Sequence, residues 1–258
     1  MTPSDTLSSS ADDVPSVVLG THGDAAEICR WLKAEFDVDQ DGFWHNRNII
    51  ADAVQNEELW VIREEDHAVA FQVGTYAPDI LNVRKDRQGR GLGSALFAAA
   101  LARARADDVV VLNITCMPRS SLAFWQKQGF EPVGSISEWG EIPARRVLGR
   151  TFELPVGIET VVAKIEFYAE GALYDDAIAP FETQTVSGVM GPDGALALER
   201  RVIGASPDAH DLAIRISVAG RQLCFCKAKY DEAKAIGVQR ARGAAFFVDV
   251  IKTGTTID

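Results

Sequence analysis

The stretch from Ile80 to Ala106, ILNVRKDRQGRGLGSALFAAALARARA, sets the strongest limits on what this chain can fold into. A short apolar run (Ile80, Leu81, Val83) gives way to a charged turn, Gln88-Gly89-Arg90-Gly91-Leu92-Gly93, and then to an unbroken segment rich in alanine and leucine. The pattern predicts strand, loop, helix. The glycines remove side chains that would hold an anion off the backbone, and the peptide N–H groups that open a helix have no partner within it. Those donors, with the positive end of the helix dipole, make a site for a pyrophosphate. Arg84, Lys85, Arg87 and Arg90 add positive charge to this turn in a chain that is acidic overall.

The turn is not a dinucleotide-binding fingerprint, because its glycine spacing differs and no acidic residue closes a second strand about twenty residues on. Nor is it a P-loop, since no Gly-Lys-Ser/Thr follows. It resembles the Q/R-x-x-G-x-G/A turn of the GCN5-related N-acetyltransferases (GNAT). The likeness continues through a strand over Val109 to Thr115 and a short helix ending Phe124-Trp125-Gln126-Lys127-Gln128-Gly129-Phe130, similar to that family's helix closing in Gly-Phe. The resemblance covers about residues 17–154. It implies an α/β (α+β) acyl-CoA N-acyltransferase fold, with a mixed, twisted sheet flanked by helices, and acetyl-CoA as acyl donor. It also implies that Val83, Arg84, Gln88, Gly89, Arg90, Gly91, Leu92, Gly93 and Ser94 hold the coenzyme, with Trp125 packed beside its arm. Val83 or a neighbour would offer the N–H that stabilises the thioester oxyanion where the fourth and fifth strands splay apart.

A chain of 258 residues exceeds the ordinary size of one domain. The reading is a disordered lead-in over 1–15, an acyltransferase domain over 16–154, and a β-rich domain over 155–258, with Pro155-Val156-Gly157 as the boundary. The hydrophobic content of 47% without a membrane-length apolar run reads as soluble and globular. The four cysteines lack metal-binding spacing, and Met1 to Val14 lacks a signal-peptide core, so the expected place is the cytoplasm, with reduced thiols and no metal. A formal charge of -11 speaks against nucleic acid or an anionic membrane as partner, and a cationic or neutral small substrate fits more easily.

Val17-Val18-Leu19 predicts a first strand. Asp24 is the expected N-cap of a helix through Phe36 with Ile28, Trp31 and Leu32 on one face, and a second helix follows between Phe43 and Gln55. In the resembled family the loop between these helices lines the acceptor cleft. Phe43, Trp44 and His45 can then form an aromatic wall, with Asp37, Asp39 and Asp41 attracting an amine; equally, Phe43 and Trp44 can staple the second helix to the core while the aspartates form a solvated turn. Leu59 to Arg63 and Ala68 to Val73 predict a hairpin, and Tyr76-Ala77-Pro78-Asp79 leads into the strand at Ile80.

Acyl transfer from a thioester to an amine needs a neutral amine, positioned reactants, a stabilised oxyanion and a departing thiolate. Asp79 and His45 are candidates to take the amine proton, while Asn82 can only orient. The family's thiolate acid is a tyrosine seven residues beyond an asparagine, and here those positions hold Trp125, which has no hydroxyl to donate, and Pro118, which cannot replace the asparagine amide. Tyr76, Cys116, Ser120 and Ser121 are the available substitutes. Cys116 can alternatively be an acyl-accepting nucleophile or a small buried residue. The closing strands are expected at Pro132 to Ser135 and Val147 to Phe152, joined by a link that could present Trp139 and Glu141 to substrate.

Residues 158–258 change pattern to alternating apolar stretches at 161–168, 183–189, 196–202, 211–218, 221–227 and 245–251, a small antiparallel sandwich or open barrel, with one helix within 227–236. Cys224 and Cys226 would face one side of a strand without further metal ligands. Residues 155–258 hold 11 Lys and Arg against 14 Asp and Glu, a balance of -3, which leaves -8 on the first part. That less repelling surface suits association, so this domain is expected to pack against the acyltransferase part and either to mediate a homodimer or to border the acceptor cleft. The function expected is transfer of acetyl to an amine of a small molecule or protein; a non-catalytic acyl-CoA sensor and a protein-interaction scaffold are the other readings.

Overall fold

The computed structural model describes residues 15–156, 159–206, 211–241 and 245–254. The expected lead-in falls outside them except for Pro15, as does Gly157 of the expected boundary. The chain forms two compact units, one up to Ala106 and one from Asp107.

The first unit runs β1 (Val17–Leu19), α1 (His22–Asp39), a 3-10 turn (Phe43–Asn46), α2 (Arg47–Gln55), β2 (Leu59–Glu64), β3 (His67–Val73), β4 (Ile80–Val83) and α3 (Leu92–Ala106). Its strands pair in the order β1-β2-β3-β4, each pair antiparallel. Alternation along β2 sends Leu59 and Val61 to one face and Trp60 and Ile62 to the other. The first face, with Phe71, Val73 and Ile80, packs on Ile28, Trp31 and Leu32 of α1 and Ile50 and Ala53 of α2. The second, with Val69 and Ala70, packs on Leu92 and Leu96 of α3. Covered on both faces, the sheet holds its last strand, β4, in a fixed register against β3.

The start of α1 differs from the expectation. Thr21 is the N-cap and Asp24 is the third helical residue of a capping box: the Asp24 carboxylate accepts the Thr21 N–H at 2.7 Å, while the Thr21 hydroxyl accepts the Asp24 N–H. A carboxylate at that position reaches back over the first turn and satisfies a donor that the helix cannot. Buried Asp24 also receives the Arg63 guanidinium as a fork, at 2.7 and 2.6 Å. The Arg63 hydrogen bonds hold its carboxyl at about 2, against the desolvation that pushes the other way.

The second unit begins with β5 (Val111–Cys116), α4 (Leu122–Lys127), β6 (Glu131–Pro132) and β7 (Ile142–Val147), forming a sheet β5-β7-β6. The closing strands are thus shifted from the expected 132–135 and 147–152. Pro132 has no N–H to extend a ladder, and Gly134 at φ +69° turns the chain away. Beyond Val147 the backbone passes to other partners: Leu148 N–H donates to Val110, Thr151 bridges Arg200, and Phe152 N–H donates to Glu199.

The rest of this unit is β8 (Glu159–Ala169), β9 (Glu182–Met190), β10 (Ala195–Ala205), β11 (Leu212–Val218), β12 (Arg221–Lys227), α5 (Asp231–Ile236), β13 (Val238–Arg240) and β14 (Ala245–Lys252). All six expected strands are present; the three-residue β13 was not legible. One antiparallel sheet contains all seven, ordered β12-β11-β8-β9-β10-β14-β13. Its two edge strands are consecutive in the chain, joined by the ten residues 228–237. Seven strands laid flat would separate those edges by roughly 29 Å. Yet α5, a six-residue helix about 9 Å long, packs against both edge strands, β12 and β13. The sheet therefore curls into a half-barrel, and one core fills its concave side, with Ile165, Phe167, Leu198, Ile214, Phe246 and Val248 packed together with Ala233 of α5.

Arg201, with 4% of its side chain exposed, fastens the beginning of this unit to the half-barrel. It pairs with Asp108 at 2.7 Å and Asp249 at 2.7 Å, lies 4.2 Å from the centre of the Phe247 ring, and has its pKa pushed up, chiefly by Asp249. Val110 packs with Ile203, Ala205, Ala245 and Phe247 beside it.

Two stability measurements follow from this packing. Because the folded pKa of Asp24 is depressed, its contribution is present above the unfolded value near 3.8 and is lost as pH falls towards 2. Urea titrations should show about 2 kcal/mol lost over that window, a loss absent in Asp24→Asn. In β10, a Cβ placed on Gly204 would lie 2.2 Å from the Phe167 ring. Gly204→Ala should destabilise the second unit by about 1–3 kcal/mol, read as a lower urea midpoint.

Candidate coenzyme-binding turn

The turn after β4 is built by glycine conformations that other residues rarely adopt. Gly89 and Gly91 have φ of +76° and +82°, and a Cβ on either would meet no atom within 4 Å. That backbone is bare on its open side, which is what close approach of a diphosphate requires. The first intrahelical bond of α3 runs from Ala95 N–H to Gly91 C=O at 3.0 Å, so Gly91 is the cap and has no side chain to satisfy the donors beyond it. The N–H groups of Leu92 and Gly93 therefore open the helix towards solvent or ligand.

Gln88 braces this arrangement by donating its side-chain amide to the Val83 carbonyl at 3.0 Å. Just past β4, Arg84 N–H bonds Val69 C=O on β3, so Leu81 and Val83 direct their peptide groups away from β3. The Val83 N–H, expected to hold a thioester oxygen, lies on that edge and donates to the Asn82 side chain at 2.8 Å.

The basic residues of the turn are all matched by carboxylates. Arg84 pairs with Asp86 at 2.7 Å, Arg87 with Glu64 at 2.8 Å and Asp86 at 2.7 Å, and Arg90 with Glu64 at 2.9 Å. Lys85 pairs with Asp39, and its N–H donates to Glu35. Asp86 holds the Arg84 pKa up and Asp39 that of Lys85. The positive charge read from the sequence is thus largely countered, and the peptide donors are the groups left to attract an anion. Glu35, Asp39 and Glu64 were missed as partners of this turn, since they lie 23 to 50 residues away and carry no local signal.

The other anticipated residues are distributed over both units. Asp79 is exposed beside β4, with its N–H donating to Val73 C=O at 3.0 Å, and Tyr76 is half-buried in the same loop. Phe43 and Trp44 pack against the core under α1 and α2, Trp44 lies 4.9 Å from the Arg47 guanidinium, and His45 meets Phe36 edge-on at 4.8 Å. Asp37 pairs with Lys33, and Asp41 accepts the Gly42 N–H. In the second unit Cys116 is buried at the end of β5, where burial pushes its pKa up. Trp125, 7% exposed, packs edge-on to Phe130 at 5.4 Å. Ser121 lies one turn before it with a buried hydroxyl lacking a hydrogen-bond partner. Trp139 is exposed, and Glu141 bonds Ser137 through both its backbone and its carboxylate. Cys224 faces the half-barrel core and is pushed up to about 12 by burial, unfavourable for a thiolate ligand. Among the described residues no three His, Cys, Asp or Glu side chains cluster as metal ligands, and no helix is long and apolar enough to cross a membrane.

Residues 55–132 match the family model described as an acetyltransferase (GNAT) domain. Both the glycine turn and the Gly129-Phe130 helix ending fall inside this match, so the GNAT resemblance is borne out over that segment, while the half-barrel lies outside it. No curated protein matches the chain. Among solved structures, it is similar to a GCN5-related N-acetyltransferase from Rhodopseudomonas palustris, at 18% identity and a TM-score of 0.39, over 52% of this chain and 96% of that one. It is also similar to the PaiA N-acetyltransferase of Thermoplasma acidophilum in complex with coenzyme A, at 9% identity and a TM-score of 0.41, over 52% and 98%. A ribosomal-protein-alanine N-acetyltransferase from Brucella melitensis gives 18% identity and a TM-score of 0.40, over 52% and 99%.

The bare backbone yields a direct expectation for binding. Gly91→Val should reduce acetyl-CoA affinity at least about a hundredfold by titration calorimetry, through both an obstructed turn and a strained positive φ. Far-ultraviolet circular dichroism of the variant should stay unchanged.

Proposed function

We propose that this protein is an acyl-CoA-dependent N-acyltransferase that moves acetyl from acetyl-CoA to an amine of a small molecule or protein. The observation that carries this reading is the turn itself: two positive-φ glycines with open space above them, leading into a helix whose cap residue, Gly91, has no side chain, within the GNAT match. Its peptide donors would take the coenzyme diphosphate, and the outward-facing groups of β4 would run beside the pantetheine arm. The amine nitrogen attacks the thioester carbon, the C–N bond forms as the carbonyl oxygen gains charge, and the C–S bond then breaks to release the thiolate. Val83 N–H would stabilise the oxyanion on giving up its bond to Asn82. Exposed Asp79 is the proposed proton acceptor from the amine, directly or through water. A thiol of pKa near ~8.5 leaves without an obligatory acid; Tyr76 is the proposed donor, with Cys116 the less suitable one because burial raises its pKa. Phe43, Trp44 and His45 would border the acceptor.

A second reading, an acyl-CoA sensor without turnover, is favoured by one specific observation. Trp125 stands where the resembled family has its acid and is buried in an aromatic cluster with Phe124 and Phe130. Thiol release from a panel of acyl-CoA thioesters and amines separates the two. The enzyme reading expects amine-dependent release and Trp125→Tyr turning over at least as fast as the wild type. Tight acetyl-CoA binding with no release for any amine would instead identify a sensor.

A further inference from the structure

A loop of six residues, Gly74 to Asp79, joins β3 to β4 and carries Tyr76 and Asp79. Its ends are tied by ordinary backbone bonds, Gly74 N–H to Glu58 C=O and Asp79 N–H to Val73 C=O, both at 3.0 Å. Two side chains, the buried Gln72 and the half-buried Arg103, reach into it as well. Gln72, with 0% exposure, donates its amide to Gly74 C=O at 2.8 Å. Arg103 of α3 donates Nε–H to Thr75 C=O at 3.0 Å, with its guanidinium 3.5 Å from the centre of the Trp60 ring.

Each side chain is only partly satisfied where it lies. The Gln72 Oε1, the Arg103 Nη2 and the neighbouring Trp60 Nε1 are buried without hydrogen-bond partners. Among the described residues no carboxylate is in salt-bridge reach of Arg103, in a chain with 37 Asp and Glu. A buried polar atom left unpaired costs roughly 1–3 kcal/mol. A leucine or methionine at either position would cover the same face of the sheet without that penalty. What these two polar side chains do that an apolar one cannot is hold two consecutive carbonyls, Gly74 and Thr75, immediately ahead of Tyr76. Gly74 adds to the constraint: at φ +104°, a Cβ there would lie 2.5 Å from Ala77 C=O.

We infer that Gln72 and Arg103 are positioning residues for the reaction, fixing the Gly74–Asp79 loop so that Tyr76 and Asp79 stand in register with the outward-facing edge of β4. This rests on the acyltransferase reading. Neither residue touches the coenzyme turn, so their loss should act on turnover and spare coenzyme binding.

The test compares Arg103→Met, Arg103→Lys and Gln72→Leu in the full-length chain. Amide hydrogen exchange over residues 75–79 and steady-state kinetics, with the best amine from the acceptor panel, are measured on each. Exchange in the loop should rise in Arg103→Met and Gln72→Leu, with kcat down about 10- to 100-fold and acetyl-CoA affinity within about twofold of wild type. Arg103→Lys, which keeps a cationic donor able to reach Thr75 C=O, should recover part of kcat. Unchanged loop exchange, or faster exchange with unchanged kcat, overturns the inference. A lowered melting temperature with unchanged kcat does so too, because it marks a purely structural role. If the wild type acetylates no amine, the acyltransferase reading fails instead, and the exchange data alone then decide whether the two side chains pin the loop.

Discussion

The peptide N–H groups at the start of α3 have no acceptor inside their own helix, and much of the first unit is arranged around keeping them available. A side-chain cap would satisfy them and close the site, but Gly91 has none to offer. The positive φ at Gly89 and Gly91 swings the chain away while leaving the backbone bare. Helices on both faces of the sheet hold β4 rigidly enough to present that turn, and Gln88 ties it back to Val83. The ring of carboxylates around Arg84, Lys85, Arg87 and Arg90 then has a clear electrostatic effect. It fixes the loop while trimming long-range attraction, so recognition depends on donor geometry at contact distance more than on net charge.

Legibility in the sequence followed the range of the interactions involved. The turn at 88–93, the hairpin of β2 and β3 and six strands of the half-barrel were all visible, because glycine punctuation and two-residue alternation are properties of neighbours in the chain. The helix cap lies three positions before the expected one, since Thr21 and Asp24 both favour helix starts and only their reciprocal hydrogen bonds show which role each takes. The closing strands were misplaced for a related reason. Val147 to Phe152 has a plausible apolar pattern, yet Thr151 and Phe152 bond to Arg200 and Glu199, about fifty residues away. At the candidate site, the glycines were legible, whereas Glu35, Asp39 and Glu64 were not, because nothing local marks a carboxylate that will meet a distant arginine.

The second unit is more integrated than a boundary near residue 155 would suggest. Asp108 precedes β5, yet with Asp249 it encloses Arg201 on β10, and Val110 completes an apolar cluster with strands β10 and β14. Arg201 is itself buried, so losing either carboxylate would leave it short of a counter-charge, although the Asp108 side chain stays 46% exposed. The segment from β5 to β7 and the half-barrel therefore share their stability.

The link from β12 through α5 to β13 acts on the half-barrel as a buckle acts on a belt. By packing on both edge strands it holds the two ends of the sheet near one another, and their separation sets how much volume the concave side can enclose. Phe167, Phe246 and the aliphatic residues around them already fill that volume, and Ala233 of α5 seals the seam. Lengthening the link would let the sheet relax outward and leave space that those side chains could not reach, whereas shortening it would crowd them against Gly204, where the Phe167 ring already leaves no space for a methyl group. The fit between a ten-residue link and one set of core side chains makes the curvature of this sheet a property of the chain's length as much as of its composition.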